Sequence, residues 1–494
     1  GIDALLGWDK SVFMPEKGAG LRARQASVLA GKIHACLSDP RIPEWIAAIN
    51  KAELDPWQAA NVRVISWLHA HAVSVPEALV ARRKAQEFKT EMAWRDARKN
   101  SDFAAVAPLL EELLAIVRDV AEAKARSLAL SPYDALIDHY APGMTSCDID
   151  NVFDDLAAFL PGLLAKALAR QKEPLPLAGK FPVEAQKKLN RDIAVLLGFD
   201  FSGGRLDVSA HPFSTGIGGD VRITTRYEES DFLSSLRAAV HEIGHALYDR
   251  NTPAPWQAQP VGSANSMGMA MHESQSLALD MQLGRSFEFF SLLAPRVCAA
   301  FGVSGSAFTA ENLHATASRV SRSLIRVYAD EVTYPLHVIL RYRLEKDMVT
   351  GSLKVRDLPE AWNAGVREML GLTPPDDAQG CLQDIHWYAG YFGYFPSYAL
   401  GAVIAAQFAD KMAKDIPDVF TRIGAGDIAA FTGWLEKNVH AQGALLTPQE
   451  LIESVTGRRM DASFLKRHLA RRYLGSACTE METETCLPIS ARGA

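Results

Sequence analysis

Residues 232–250 read FLSSLRAAVHEIGHALYDR, and the rest of the chain can be organised around them. Phe232, Leu236, Val240, Ile243 and Leu247 recur at three- and four-residue spacing, the apolar stripe of an amphipathic helix. Ser230 or Asp231 supplies a side-chain oxygen to cap its first turn. Inside this helix lies His241-Glu242-Ile243-Gly244-His245. Residues four apart share a helix face, so His241 and His245 can present both imidazoles to one ion. Glu242, one position along, is placed to reach a water on that ion rather than the ion itself.

A third ligand has to come from elsewhere. Residues 266–286, SMGMAMHESQSLALDMQLGRS, read as a second helix, and Glu273 on it follows His245 by 28 residues. Two imidazoles and a carboxylate around a tetrahedral ion, with one position left open, suit zinc. His272 competes with Glu273 for the role, but adjacent helical residues point about 100° apart, so only one of them faces the ion. Glu273 is the expected ligand. Asp249 and Asp280 are candidates to hold the ligand imidazoles from behind.

Working outward, residues 205–209 (RLDVS) and 220–227 (DVRITTRY) alternate apolar and polar side chains and flank the glycine-rich loop 216–219. This predicts a hairpin just before the metal-binding helix, where an extended peptide can add by main-chain hydrogen bonds. Most other segments carry helical periodicity: 21–38, 103–128, 151–171, and one long run from Leu313 to Leu353. Breaks are short, and no repeat or linker marks a boundary. The fold expected is therefore mainly α with a small sheet, one domain over residues 1–475, and a flexible tail over 476–494. Tyr391 to Ala409 is apolar enough to suggest a membrane span, but Pro396, Ser397 and Gln407 interrupt it, which predicts a buried helix of a soluble protein.

Composition narrows the function. With 494 residues the chain can bury a large core without metal staples, so a metal site in it is expected to be catalytic. A net charge of −6 argues against a general nucleic-acid binder. The six cysteines lack CxxC pairs and read as reduced thiols of a cytosolic-type compartment. The sequence as given shows no basic-then-apolar leader.

Further motifs carry a resemblance. Asp220-Val-Arg222-Ile-Thr224 matches DxRxT, His272-Glu273-Ser274 matches HES, and Ile325-Arg326-Val-Tyr-Ala329-Asp330 matches IRxxAD. Gly380-Cys-Leu-Gln383-Asp384-Ile-His386-Trp387 matches GxxQDxHW. With the HExxH helix, and with short matches from Trp8-Asp9 and Met14-Pro15 to Tyr473-Leu-Gly475, the chain resembles the thermostable (Taq-type) metallocarboxypeptidases over nearly its whole length. Two positions depart from the pattern: Tyr328 inside IRxxAD, and Ala141 before Pro142-Gly143, both sites where an acidic residue is usual.

The resemblance implies a large helical domain of two lobes around a deep cleft, with the sheet beside the HExxH helix. It also implies a cytoplasmic homodimer, zinc or sometimes cobalt as cofactor, and release of single C-terminal residues from peptides of broad sequence. Glu242 is the expected general base. By analogy with other helical gluzincins, His386 and Tyr394 stabilise the oxyanion and Tyr391 lies near the substrate carboxylate. A cation for that carboxylate comes from Arg326 or Arg222, both within signatures, with Arg326 preferred and Arg222 closing the end of the cleft. Gln383 is a candidate substrate contact. Two other peptidase readings share the HExxH and glutamate core: an endopeptidase, and an enzyme releasing C-terminal dipeptides. A non-catalytic peptide-binding protein is the reading from another class, and the intact ligand set speaks against it.

Overall fold

The periodic stretches fold as helices, because each has one apolar stripe to bury and a polar side to leave in water. Ala19–Leu37, Phe103–Leu128 and Ser146–Arg170 are three of them in the computed structural model, which describes residues 1–475. The expected tail, 476–494, lies outside the described residues. The fold is mostly helical with one three-stranded sheet, and a continuous cluster of buried apolar side chains extends from Ala60 to Leu469. Among the described residues Cys36, Cys147, Cys298 and Cys381 are unpaired thiols.

The sheet differs from the expected hairpin. Its strands are β1 (Gly204–Val208), β2 (Ser214–Ile217) and β3 (Asp220–Thr225), in the order β1-β3-β2. β1 runs parallel to β3, so the two stretches that alternate in the sequence are neighbours but not a hairpin. The hairpin is β2–β3, closed at Gly218 and Gly219, where Gly218 has φ +54. β2 is short and built of Ser, Thr, Gly and Ile, so it carries no alternation to read. The loop between β1 and β2 holds His211, whose carbonyl accepts a 2.6 Å bond from Ser209 Oγ.

The long helix expected from Leu313 to Leu353 is also interrupted. Ala310–Ala317 ends, the chain passes through a short turn at Arg326–Tyr328, and a new helix runs over Tyr334–Thr350. Asp330 explains the break. Its carboxylate accepts from the amides of Ser321, Val332 and Thr333 and from the Thr333 hydroxyl, which ties the intervening loop to the start of the next helix. Pro335, near the first turn, suits a helix start and not an interior.

Three helices position the metal site. The motif helix is Phe232–Arg250, capped by the Asp231 side chain accepting from Ser234 N at 3.1 Å. The ligand helix, Gly268–Leu277, continues as a wider π turn over Ala278–Leu283. The backing helix, Pro396–Asp415, accounts for the apolar stretch around 391–409: it is buried in the protein, and among the described residues no single helix is long and apolar enough to cross a membrane.

Two glycines let these helices meet. A Cβ at Gly244 would lie 2.5 Å from Gln275 O and from Ser276 Cα on the ligand helix. A Cβ at Gly401 on the backing helix would lie 2.8 Å from Glu273 Cγ. Neither approach tolerates a side chain without a helix moving. Replacing Gly244 or Gly401 by Ala should therefore lower folding stability by about 1–3 kcal/mol, the usual range for overpacking. Urea denaturation with metal analysis of the folded fraction checks this, with metal content falling alongside stability.

Candidate metal centre

His241 and His245 project from one face of the motif helix, and Glu273 meets them from the ligand helix. Glu273 Oε2 is 3.8 Å from His241 Nε2 and 3.3 Å from His245 Nε2. One ligand atom from each residue lies within 4.8 Å of the others. Two donors each about 2.0–2.1 Å from a tetrahedral ion are about 3.3–3.5 Å apart, so the spacing fits an ion with small side-chain adjustments. The structure brings together the three ligands expected from the sequence.

The histidine beside Glu273 has a different task. His272 Nε2 is 3.1 Å from Asp249 Oδ1, and His272 Nδ1 is 2.7 Å from His245 Nδ1. A carboxylate only accepts, so the proton on Nε2 of His272 points to Asp249. Against the effect of burial, Asp249 raises the His272 pKa; in the neutral ring Nδ1 is the acceptor, and His245 donates its Nδ1–H to it. That tautomer leaves the lone pair of His245 Nε2 facing Glu273 and the ion position. Asp249 was a candidate from the sequence; the relay through His272 was not legible there.

Glu273 is held from the other side as well. Tyr334 OH lies 3.4 Å from Oε1 and Ser276 Oγ 3.3 Å from Oε2. Burial opposes its charge, yet His241 and His245 bring its pKa down to about 2. Burial takes His245 down to about 4, so it is neutral and able to ligate. Glu242 stands apart: burial pushes its carboxyl up to about 7, against the pull of His241. It is buried and makes no hydrogen bond to another side chain among the described residues. Such a carboxyl can take and return a proton near neutral pH.

His386 is buried beside Tyr398, whose hydroxyl is 3.0 Å from its Nε2. Burial lowers its pKa to about 3, so the ring is neutral. Asp384 Oδ1 lies 3.9 Å from Nδ1 and favours the proton there, so the Tyr398 hydroxyl donates to Nε2. Tyr394 packs against His386, Tyr398 and Tyr140 with ring centroids 5.6, 5.3 and 5.1 Å away. Tyr391 is 47% exposed, with its ring 6.4 Å from His386. Tyr398 follows Tyr394 by four residues, a spacing that would have flagged it, and Tyr334 likewise follows Asp330.

The arginines and Gln383 are more committed than expected. Arg326 donates Nε and Nη2 to Asp384 Oδ1, at 3.1 and 2.8 Å, and Arg341 Nε donates to Oδ2 at 2.6 Å. Burial opposes the Asp384 charge, but these two guanidiniums hold its pKa far below the usual carboxylate range. Arg222 pairs with Asp220 at 2.8 Å and lies 4.2 Å over the Trp8 ring, joining the sheet to the first helix. Gln383 departs from its expected substrate contact: its Nε2 donates to the carbonyls of Leu324, Gln379 and Gly380, and its Oε1 accepts from Arg326 N at 3.0 Å. With the amide spent on the backbone, Gln383 braces the Arg326 loop.

Comparison with known proteins agrees with this geometry. The family model described as carboxypeptidase Taq (M32) metallopeptidase matches residues 1–473. Thermostable carboxypeptidase 1 of Thermus thermophilus is 38% identical over 489 residues, covering 96% of this chain and 95% of the relative. Among solved structures, Trypanosoma cruzi metallocarboxypeptidase 1 superposes with a TM-score of 0.93 at 38% identity, over 96% of each chain. The M32 carboxypeptidase of Deinococcus radiodurans superposes at 0.90 and 36% identity, over 96% of this chain and 95% of that one.

Two outcomes follow from the site. Replacing Asp249 by Ala leaves the His272 proton without its acceptor and should weaken metal binding about 10- to 100-fold, measured by competition with a chromophoric chelator. Glu242 makes the metal-free protein pH-sensitive. Between its ordinary value of 4.5 and about 7 the folded state holds more protons than the unfolded one, so stability falls as pH rises through that window. Metal-free Glu242→Gln should be more stable than the parent by up to about 3 kcal/mol at pH 8, and no more stable near pH 4, by urea titration.

Proposed function

The chain belongs to the carboxypeptidase Taq (M32) metallopeptidase family and is a metallocarboxypeptidase, and from that premise we propose that it is a zinc enzyme releasing single C-terminal residues from peptides of broad sequence. The observation that carries the reading is the convergence of two neutral-capable imidazoles and Glu273 beside a carboxyl, Glu242, that no side chain pairs. The donor set is the one zinc prefers, and cobalt accepts the same ligands. Zinc held by His241, His245 and Glu273 would polarise the scissile carbonyl and acidify the attacking water.

The rest is the work of side chains. Glu242 accepts the proton of the attacking water and returns it to the leaving amine. Tyr394, with the neutral His386 near it, donates to the oxygen of the scissile carbonyl as negative charge builds there. Tyr391 lines the approach. Arg326 receives the terminal carboxylate: Arg326 and Arg341 share the single carboxylate of Asp384, so one positive charge is left over in a water-poor place. Arg222, on the central strand of the sheet, limits how much peptide extends past the scissile bond. A peptide laid along the sheet would add main-chain bonds.

Residence in the cytoplasm and a homodimer belong to the same proposal. The unpaired thiols fit a reducing compartment. The first helices expose Ile2, Leu5, Phe13, Leu21 and Val28, apolar surface that a second copy would cover.

Mass spectrometry of a peptide mixture incubated with the enzyme should show ladders losing one C-terminal residue at a time, stopped by a chelator and restored by zinc. Amidated peptides should be spared; equal cleavage of acid and amide forms would overturn the exopeptidase reading. Glu242→Gln should abolish turnover while retaining metal, and Tyr394→Phe should lower kcat by about 10²–10³-fold.

A further inference from the structure

On the motif helix, one turn before His241, Arg237 is a cation without a hydrogen bond among the described residues. The neighbouring guanidiniums all have partners: Arg285 donates Nε and Nη2 to Asp280 at 3.3 and 3.2 Å, and Arg472 reaches both oxygens of Glu331 at 2.8 Å. Among the described residues Arg237 pairs at 3.8 Å, Nε to Oδ1, with Asp280 alone. That Nε is enclosed and unpartnered, as is Arg285 Nη1. An enclosed donor left unpaired is rare in a native protein, so Asp280 does not satisfy this guanidinium, whose outer part stays 37% exposed. Asp280 balances only one of Arg237 and Arg285, and Arg472 already occupies Glu331, so one positive charge is uncompensated.

Position decides what that charge meets. Residues four apart on a helix share a face, so Arg237 stands in line with His241 and His245. This strip is the open side of the motif helix: the side chains of Arg237 and His241 are 37% and 24% exposed, while Leu236, Val240 and Ile243 are buried. Four residues along a helix is a rise of about 6 Å, less than the reach of an extended arginine. Asp280, beside Arg237, is close enough to act on the charge of His241. Arg237 shares the lining of a small pocket with Leu233, Leu236, Val240, Asp280, Phe289 and Phe290, and the exposed part of its side chain belongs to the same strip as His241.

We propose that Arg237 is a specificity residue, which receives the carboxylate of an acidic side chain flanking the scissile bond and makes peptides with Glu or Asp there the preferred substrates. The free planar fork suits a carboxylate held by two parallel bonds. This inference rests on the carboxypeptidase reading and refines its broad specificity into a preference for acidic residues.

The test uses zinc-loaded enzyme and blocked tripeptides carrying Ala, Glu or Lys at the terminal or the penultimate position. Cleavage of the all-Ala peptide establishes the carboxypeptidase reading independently of any preference. The expected result is a kcat/KM for Glu about tenfold or more above Ala at one of the two positions, with Lys below Ala, and the position identifies the subsite. The Glu/Ala ratio should fall toward one in Arg237→Gln, and Arg237→Glu should favour Lys over Glu. In the parent enzyme alone, the Glu/Lys ratio should shrink as salt rises, a readout that needs no variant. The proposal is overturned if Glu is not preferred, if Arg237→Gln leaves the ratio unchanged, or if the variant slows all substrates equally. It is also overturned if chloride or sulfate changes all rates together, which would assign Arg237 to an inorganic anion.

Discussion

At Gly244 the motif helix and the ligand helix touch backbone to backbone, with no room for a single methyl between them. The rest of the site depends on that contact. Helices packed through larger side chains run 8–10 Å apart, and a carboxylate of glutamate length would then stop short of two imidazoles on the neighbour. Here Glu273 reaches both, while Gly401 on the backing helix lets a third element press against its methylenes. The interval between His241 and His245 sets the imidazoles on one face, and the glycine between them sets the distance to the third ligand. Ligation and packing are thus written into the same five residues.

Buried charge around the site follows one rule with instructive exceptions. Glu273, Asp384 and Glu331 each lie among cations or hydrogen-bond donors that hold them ionised. Paired in this way they are fixed parts of the framework: Asp384 locks Arg326 and Arg341 together, and Glu331 ties the last helix down through Arg472, His468 and Tyr473. Glu242 has no such partner and its carboxyl rises to about 7. Left unpaired it costs stability, and its proton affinity lies near neutral pH. Arg237 is the second exception, a cation whose donors face no carboxylate at bonding distance. Both exceptions stand on the open strip of the motif helix or beside it, where a substrate would complete them.

The sequence was most readable where chemistry depends on local spacing. His241, Glu242 and His245 are one helical turn, Asp231 caps that helix as a nearby side chain must, and the stripe from Phe232 to Leu247 decides its buried face. Glu273 was readable from its separation of 28 residues from His245 and from the His272-Glu273-Ser274 motif. What was not readable is settled between distant segments. The alternation in 205–209 and 220–227 identified strands but not their partners, and the small residues of Ser214–Ile217 gave no sign that they would form the true hairpin. The pattern from Leu313 to Leu353 kept helical spacing through a loop that Asp330 folds by collecting amides. Gln383 and His272 sit in recognisable motifs, yet their tasks follow from carbonyls and carboxylates brought in by other elements.

The close helix contact at Gly244 brings His241, His245 and Glu273 around one position for a metal ion. Anomalous diffraction at the zinc edge, from crystals of the enzyme grown with zinc, tests it most directly. One strong peak is expected, bonded to Nε2 of both histidines and to Glu273 at about 2.0–2.2 Å, with Glu242 close by but not bonded. A peak ligated by His272 or Glu242, or no peak between the two helices, would contradict it.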